Sequence, residues 1–227
     1  MSDAAWGEVL AAAGSLDLPE RRTVVVVPHP DDETLLTGGL IARQSRRGVA
    51  TTVVAVTDGE RAYPSWPAPG LGRVRQAEQD KALRMLDLPS GCTVRLRLPD
   101  SKVADHEDEL TDVLMDLIAP GDLTVAPWEH DWHPDHEACG RAAKRAAARQ
   151  GATLLGSLFW AYHRVDPVAH PRLRVRRLSL TKPELNRRLN ALDAHRSQLQ
   201  SVHHDPVLSP DLFEHLDNDV EHFVVAS

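Results

Sequence analysis

Two short stretches carry the residue types that hold a catalytic metal: VVVVPHPDDETLL at 24–36 and WHPDHEACG at 132–140. Histidine nitrogen and carboxylate oxygen suit zinc, and three protein ligands with one position left for water make the catalytic form of such a site. His29 and Asp32 share one tight loop, and His133 and His136 share another, so two histidines and a carboxylate can meet at one ion. The expected ligands are His29, Asp32 and His136. Asp31, adjacent to a ligand and not itself one, would take the proton of a water that the metal acidifies. The chemistry indicated is metal-dependent hydrolysis. N-capping and the helix dipole also favour Asp-Asp-Glu, or Asp135, ahead of a helix. The two motifs weigh more together, because both follow predicted strands.

The elements that must position these loops alternate. Four consecutive valines read as a buried parallel strand over Thr23–Val27, and the polar run after them sits at the edge where open α/β sheets place their chemistry. A helix is predicted from about Glu33 to Arg47, a strand within 50–60, an irregular loop at 61–71, and a helix from about Gly72 to Leu86. CTVRLRLPD gives a third strand, a helix runs from Asp105 to Ala119, and DLTVAP delivers the chain into the HPDH loop. An alanine-rich helix from Asp135 to Gln150 follows, then strands in TLLGSLFWAY and RLRVRRLSL, and a helix from Lys182 to about Gln200. HFVV in the tail reads as a short edge strand. Such βαβ alternation means right-handed crossovers and a mostly parallel sheet with helices on both sides.

The 227 residues fit one α/β domain spanning 1–227. A net charge of −7 argues against nucleic acid or an anionic membrane as partner. Two cysteines, Cys92 and Cys139, lack C-x-x-C spacing and suit a reducing compartment. The N-terminal stretch reads as an amphipathic helix and not as a signal peptide, and no stretch approaches the roughly 20 apolar residues of a membrane span. A cytoplasmic protein is expected.

PHPDDE followed by HPDH resembles the zinc-dependent N-acetylglucosaminyl deacetylases of the PIG-L or LmbE-like family. TDGE ending at Glu60, RQAE at 75–78, LPD ending at Asp100 and HRSQ at 195–198 are similar to weaker signatures of that family, in the same order. The resemblance implies a Rossmann-like three-layer sandwich, with His29, Asp32 and His136 on the metal and Asp31 as general base. It also implies a charge or proton from His133 near the oxyanion, which Asp135 would orient, and substrate-lining places for Arg75, Asp100 and Glu60. The implied cofactor is Zn2+, with Fe2+ open because the ligand set does not decide between them. The implied partner is a small N-acylated amino sugar or glycoconjugate. Asp131 and Trp132 stand where some relatives carry a tyrosine.

Trp66, Trp128 and Trp132 offer flat faces for a sugar ring or, equally, core packing. His203 and His204 suit a solvated loop better than a metal pair, and His195 a substrate-side or packing role. A basic strand face at 172–177, with Phe213 and Phe223, offers surfaces for a homo-oligomer. The competing readings are a non-haem Fe(II) oxygenase, which the alternating pattern disfavours, and a non-catalytic binding protein on the same fold, which a complete ligand and base set disfavours. A nucleotide-binding module is weaker still, because carboxylates stand where a pyrophosphate needs glycines.

Overall fold

Four valines in a row need cover on both faces, and the strand Thr23–Val27 is buried at every residue. The computed structural model describes residues 2–63, 66, 68–200 and 219–225. In chain order the first elements are α1 Ser2–Ala11, β1 Gly14–Ser15, β2 Thr23–Val27, α2 Asp32–Arg46, β3 Thr51–Ala55 and α3 Ala68–Met85. Then come β4 Thr93–Arg95, α4 Glu107–Leu117, β5 Leu123–Pro127, α5 Pro134–Gln150 and β6 Thr153–Ser157. The last are α6 Trp160–Arg164, β7 Val175–Ser179, α7 Lys182–Leu192, α8 Arg196–Leu199 and β8 Val220–Val225.

The eight strands form one sheet in the order β1-β7-β8-β6-β5-β2-β3-β4. All neighbours are parallel except β8, which runs antiparallel to β6 and β7. The parallel run β4-β3-β2-β5-β6 has the Rossmann order, in which the chain leaves β2 in one direction and returns through β5 in the other. That reversal opens a crevice between the C-terminal ends of β2 and β5, which pair with Val25 opposite Val125. The two motif loops leave the sheet at this crevice.

Alternate valines of β2 serve different layers. Val25 and Val27 pack with Leu40, Ile41 and Leu83 from α2 and α3 and with Leu86 just after α3, and Val24 and Val26 pack with Leu110, Leu114 and the alanines of α5. Full burial stabilises each by about 1.5–3 kcal/mol. Small residues let α5 approach closely. A Cβ on Gly140 would lie 2.5 Å from the Pro127 carbonyl and 2.8 Å from the Glu129 nitrogen, so only glycine fits where α5 crosses the end of β5. α1 docks through Trp6, which is buried and donates its indole N–H to the carbonyls of Ala161 (3.0 Å) and Val165 (2.9 Å).

Several expected elements are corrected. HFVV is not an edge strand, since β8 lies between β6 and β7 with Phe223 buried. TLLGSLFWAY is strand only to Ser157, and its second half enters α6. The loop at 61–71 yields to α3 at Ala68, and the helix from Lys182 breaks at 193–195 into α7 and α8. His203, His204 and Phe213 lie outside the described residues. Among the described residues no helix is long and apolar enough to cross a membrane.

Candidate metal centre

β2 ends at Val27, and the chain turns through Pro28–Asp31 into the first turn of α2. The His29 backbone N–H donates to Asp32 Oδ2 at 2.9 Å, which fixes both side chains of the loop. From the other loop, His136 enters in the first turns of α5. Asp32 Oδ2 lies 3.3 Å from His29 Nδ1 and 3.4 Å from His136 Nε2. Ligands of a tetrahedral ion at about 2.0–2.1 Å are separated by about 3.3–3.4 Å, so each histidine stands at ligand spacing from Asp32, and all three ligand atoms lie within 4.8 Å of one another.

Each histidine is held from behind by carboxylate. His136 Nδ1 donates to Asp131 Oδ2 at 2.9 Å, which leaves Nε2 as its free lone pair. Asp131 is fully buried and also accepts the backbone N–H groups of Phe159 and Ala161, each at 3.0 Å. His29 Nε2 lies 3.2 Å from Asp135 Oδ2 and 3.5 Å from Asp100 Oδ1. Burial opposes a charge on His29, but Asp100, Asp135 and Asp32 outweigh it and hold its pKa well above the usual range. The buried carboxylates Asp31, Asp32, Asp100, Asp131 and Asp135 outnumber the buried Arg75 guanidinium among them. The excess of negative charge and the N/O donor set fit a divalent cation. His29, His133 and Asp135 also converge within 4.8 Å. In that second triad, however, both Asp135 oxygens already accept N–H groups, from Ser101 (2.8 Å) and Val103 (3.2 Å).

Asp31 stands beside the triad without joining it. Burial first, and then the Asp32 carboxylate, push its pKa up to about 7, against the pull of Arg75, His195 and His29. Arg75 Nη2 lies 3.6 Å from Asp31 Oδ1. The same guanidinium donates to the carbonyls of Gly59 (2.8 Å) and Pro30 (3.3 Å) and to Gln198 Oε1 (2.6 Å). Gly59 has φ +62°, and a Cβ there would meet Arg75 Nη1 at 2.2 Å, so the TDGE turn needs its glycine on two counts. A second support is Glu33, buried and accepting from the Asp31 N–H (3.2 Å) and from Gln79 Nε2 (2.9 Å). The buried His195 lies with Nε2 3.1 Å from Glu33 Oε1 and 3.2 Å from Thr34 Oγ1.

His133 caps α5, with its Nδ1 accepting the Asp135 N–H at 3.2 Å. Nδ1 is therefore occupied and Nε2 is the remaining donor. Burial, with His136 and His29 adding to it, lowers the His133 pKa to about 4. Three of the expected residues also brace their neighbours. The Asp135 carboxylate lies against His29, and its backbone N–H donates to His133. Arg75 and Asp100 are buried beside Asp31 and His29. Glu60 bridges to the Asp100 N–H at 3.0 Å. Of the candidate aromatic faces, Trp128 belongs to the core around Trp6, Trp66 is half-buried, and Trp132 is 49% exposed.

The residues that sequence reasoning missed are Asp131, Glu33 and Gln79. Asp131 had one available signal: it is an acidic residue five positions before an expected histidine ligand, one turn away once α5 is foreseen. Glu33 was read as a dipole partner because its partners come from α3 and from the turn at His195.

A probable N-acetyl-alpha-D-glucosaminyl L-malate deacetylase 2 of Bacillus cereus is 27% identical over 200 residues, covering 82% of this chain and 87% of the relative. A 1D-myo-inositol 2-acetamido-2-deoxy-alpha-D-glucopyranoside deacetylase of Saccharopolyspora erythraea is 38% identical over 129 residues, 56% of this chain and 41% of that longer relative. Among solved structures, the zinc-inhibited form of teicoplanin deacetylase Orf2 superposes with a TM-score of 0.68 at 19% identity, covering 89% of this chain and 97% of that one. At that identity the likeness speaks for the fold. The family model for GlcNAc-PI de-N-acetylase, PIG-L, matches residues 24–147, more than half of the sequence and the whole span from β2 through both motif loops, and the chain belongs to that family.

Proposed function

We propose that the protein is a metal-dependent hydrolase that removes an acetyl or related acyl group from the amide nitrogen of an N-acetylglucosamine-type amino sugar. The observation that carries this reading is the triad of His29, Asp32 and His136 with Asp31, buried and outside the triad, beside it. The deacetylases among its relatives and the family match support the reaction class. Zinc is the proposed ion, and ferrous iron suits the same donors. Bound by the triad, such an ion supplies Lewis acidity for the amide carbonyl and acidifies a water molecule.

The chain's own residues do the rest. Asp31 takes the proton of the attacking water as the new C–O bond forms. His133 offers its Nε2 as donor to the oxygen of the tetrahedral species, since Nδ1 is filled by the Asp135 N–H. The C–N bond then breaks, and protonated Asp31 returns its proton to the departing amine, so acetate and a free amino sugar leave. Asp100 and Asp135 keep His29 in place, and Asp131 does the same for His136. The two cysteines, both free, fit a reducing, cytoplasmic setting.

The test is metal content together with acetate release from a panel of N-acetylglucosamine derivatives. Wild type is expected to bind one ion per chain and release acetate. Asp31→Ala should keep the ion and lose about 10²–10⁴ in kcat. Full turnover by that variant would remove Asp31 from the scheme, and absence of any bound metal in wild type would remove the scheme itself.

A further inference from the structure

A strip of rings leads outward from the metal centre. The His29 and His133 ring centroids are 5.0 Å apart, His133 lies 6.1 Å from Trp160 with planes 27° apart, and Trp160 lies 6.0 Å from Trp132. The Arg164 guanidinium carbon sits 5.2 Å from the Trp132 ring centroid, over its face. Exposure rises along the strip, from His29 at the centre to Trp132 and Arg164 at the surface.

This strip is built and anchored. Trp160 and Arg164 are i and i+4 on α6, hence on one helix face. The first N–H groups of that helix are held by Asp131, whose Oδ2 also holds His136. Trp132 is the next residue, with a φ of 72° and half its surface exposed. One buried carboxylate therefore fixes the ledge and a metal ligand to the same frame.

Among the described residues Arg164 has no ion-pair partner, and its guanidinium lies over the face of Trp132. Neighbouring carboxylates are engaged elsewhere: Glu137 accepts from the Trp132 N–H (3.3 Å) and lies 3.8 Å from Arg141, and Asp166 accepts from the Val168 N–H (3.0 Å). A guanidinium stacked on indole is pre-oriented to present its edge to a carboxylate or phosphate.

We propose that Trp132, Trp160 and Arg164 form a subsite, beside the reacting centre, for a ring-bearing, anionic aglycone of an N-acyl glucosaminide. This rests on the deacetylase reading and names the substrate class within it. The aromatic faces take the ring by stacking, and Arg164 takes the anionic group.

The experiment compares 4-carboxyphenyl, 4-carbamoylphenyl and methyl N-acetylglucosaminides as substrates. Wild type should prefer the carboxylate over the carboxamide by about fivefold in kcat/KM, the discrimination expected of one partly exposed charge pair. The difference should lie in KM. Arg164→Gln should bring that ratio to about one. Trp132→Ala should cut the advantage of both aryl glycosides over the methyl glycoside by about threefold to tenfold, with Trp132→Phe restoring most of it. Equal kcat/KM for all three in wild type, or an Arg164→Gln ratio unchanged from wild type, would overturn the subsite. Binding of the corresponding 4-carboxyphenyl glucosaminide amine, followed by tryptophan fluorescence, separates the two readings. If no glycoside is turned over, the deacetylase reading fails, and the subsite stands only if that titration saturates and weakens about fivefold in Arg164→Gln.

Discussion

α2 carries two buried ionic clusters, one at its start and one at its middle, and they differ in charge balance. At the start, Asp31, Asp32 and their carboxylate neighbours exceed the cations around them, and two histidine nitrogens face a shared carboxylate oxygen. At the middle, one Arg188 meets one Glu221, with Arg188 Nε 3.6 Å from Glu221 Oε1. Glu221 also accepts the N–H groups of Gly39 (2.6 Å) and Leu40 (2.9 Å), and Arg188 donates to the Leu35 carbonyl (2.7 Å). Both carboxylate oxygens of the balanced pair are taken by helix backbone, so what it can do is hold β8 and α7 against α2. The unbalanced cluster has lone pairs left over, and those are what a cation needs.

The two should fail in different ways. His136→Ala is expected to abolish metal binding and acetate release, at a cost in metal-free stability, read by urea unfolding, that stays below that of an unpaired charge because Asp131 is still held by the Phe159 and Ala161 N–H groups. Breaking a buried pair leaves an uncompensated charge, so Arg188→Met should cost about 3–5 kcal/mol in the same urea experiment. Its folded fraction should still bind one ion. If Arg188→Met loses the metal while keeping wild-type stability, the division of labour between the clusters is wrong.

Asp131 sharpens the comparison because it belongs to both kinds. It fixes a ligand, as an outer support of the metal centre, and it fixes backbone, as the anchor of α6. Outer supports of metal ligands typically contribute 10-fold to 100-fold in metal affinity. Asp131→Asn keeps the shape and loses the charge, so affinity measured by chelator competition should fall by about that factor. An unchanged affinity would leave Asp131 with the helix alone.

The same contrast explains what could be read in the sequence. The valine run of β2, the spacing of PHPDDE and HPDH, and the strand ends they follow are local signals, and they brought His29, Asp32 and His136 to one place. What escaped depends on distant partners. The strand reading of Phe159–Tyr162 fails because the Asp131 carboxylate, nearly 30 residues earlier in the chain, captures the N–H groups that start α6. β8 read as a short edge strand from HFVV alone, because the burial of the preceding Glu221 depends on Arg188 and the α2 backbone, which lie far from it in sequence. Arg75 and Asp100 were found by motif, but their burial behind the loop follows from Gly59, Gln198 and His29, which no single motif contains.

The smallest effect tests a structural ion cluster at its most exposed, where two arginines meet one carboxylate. At the far end of α2, Glu184 accepts from Arg43 (Nε 3.0 Å), from Arg46 (Nη2 2.9 Å) and from the Thr181 N–H (2.8 Å). Burial works to raise its pKa, but Arg43 and the Thr181 contacts outweigh this and hold it down at about 2, against a usual 4.5. A depressed carboxylate pKa means stabilisation that is fully present above the unfolded value and lost as pH falls through the folded one. Between pH 5 and pH 2.5 the wild type should therefore lose about 1–2 kcal/mol more than Glu184→Gln, a figure reduced for solvent screening because Arg46 is half-exposed. Parallel acid profiles for the two proteins would mean that pairing at this end stabilises nothing. Ion pairing would then hold this helix only where, as at Glu221, both partners are out of water.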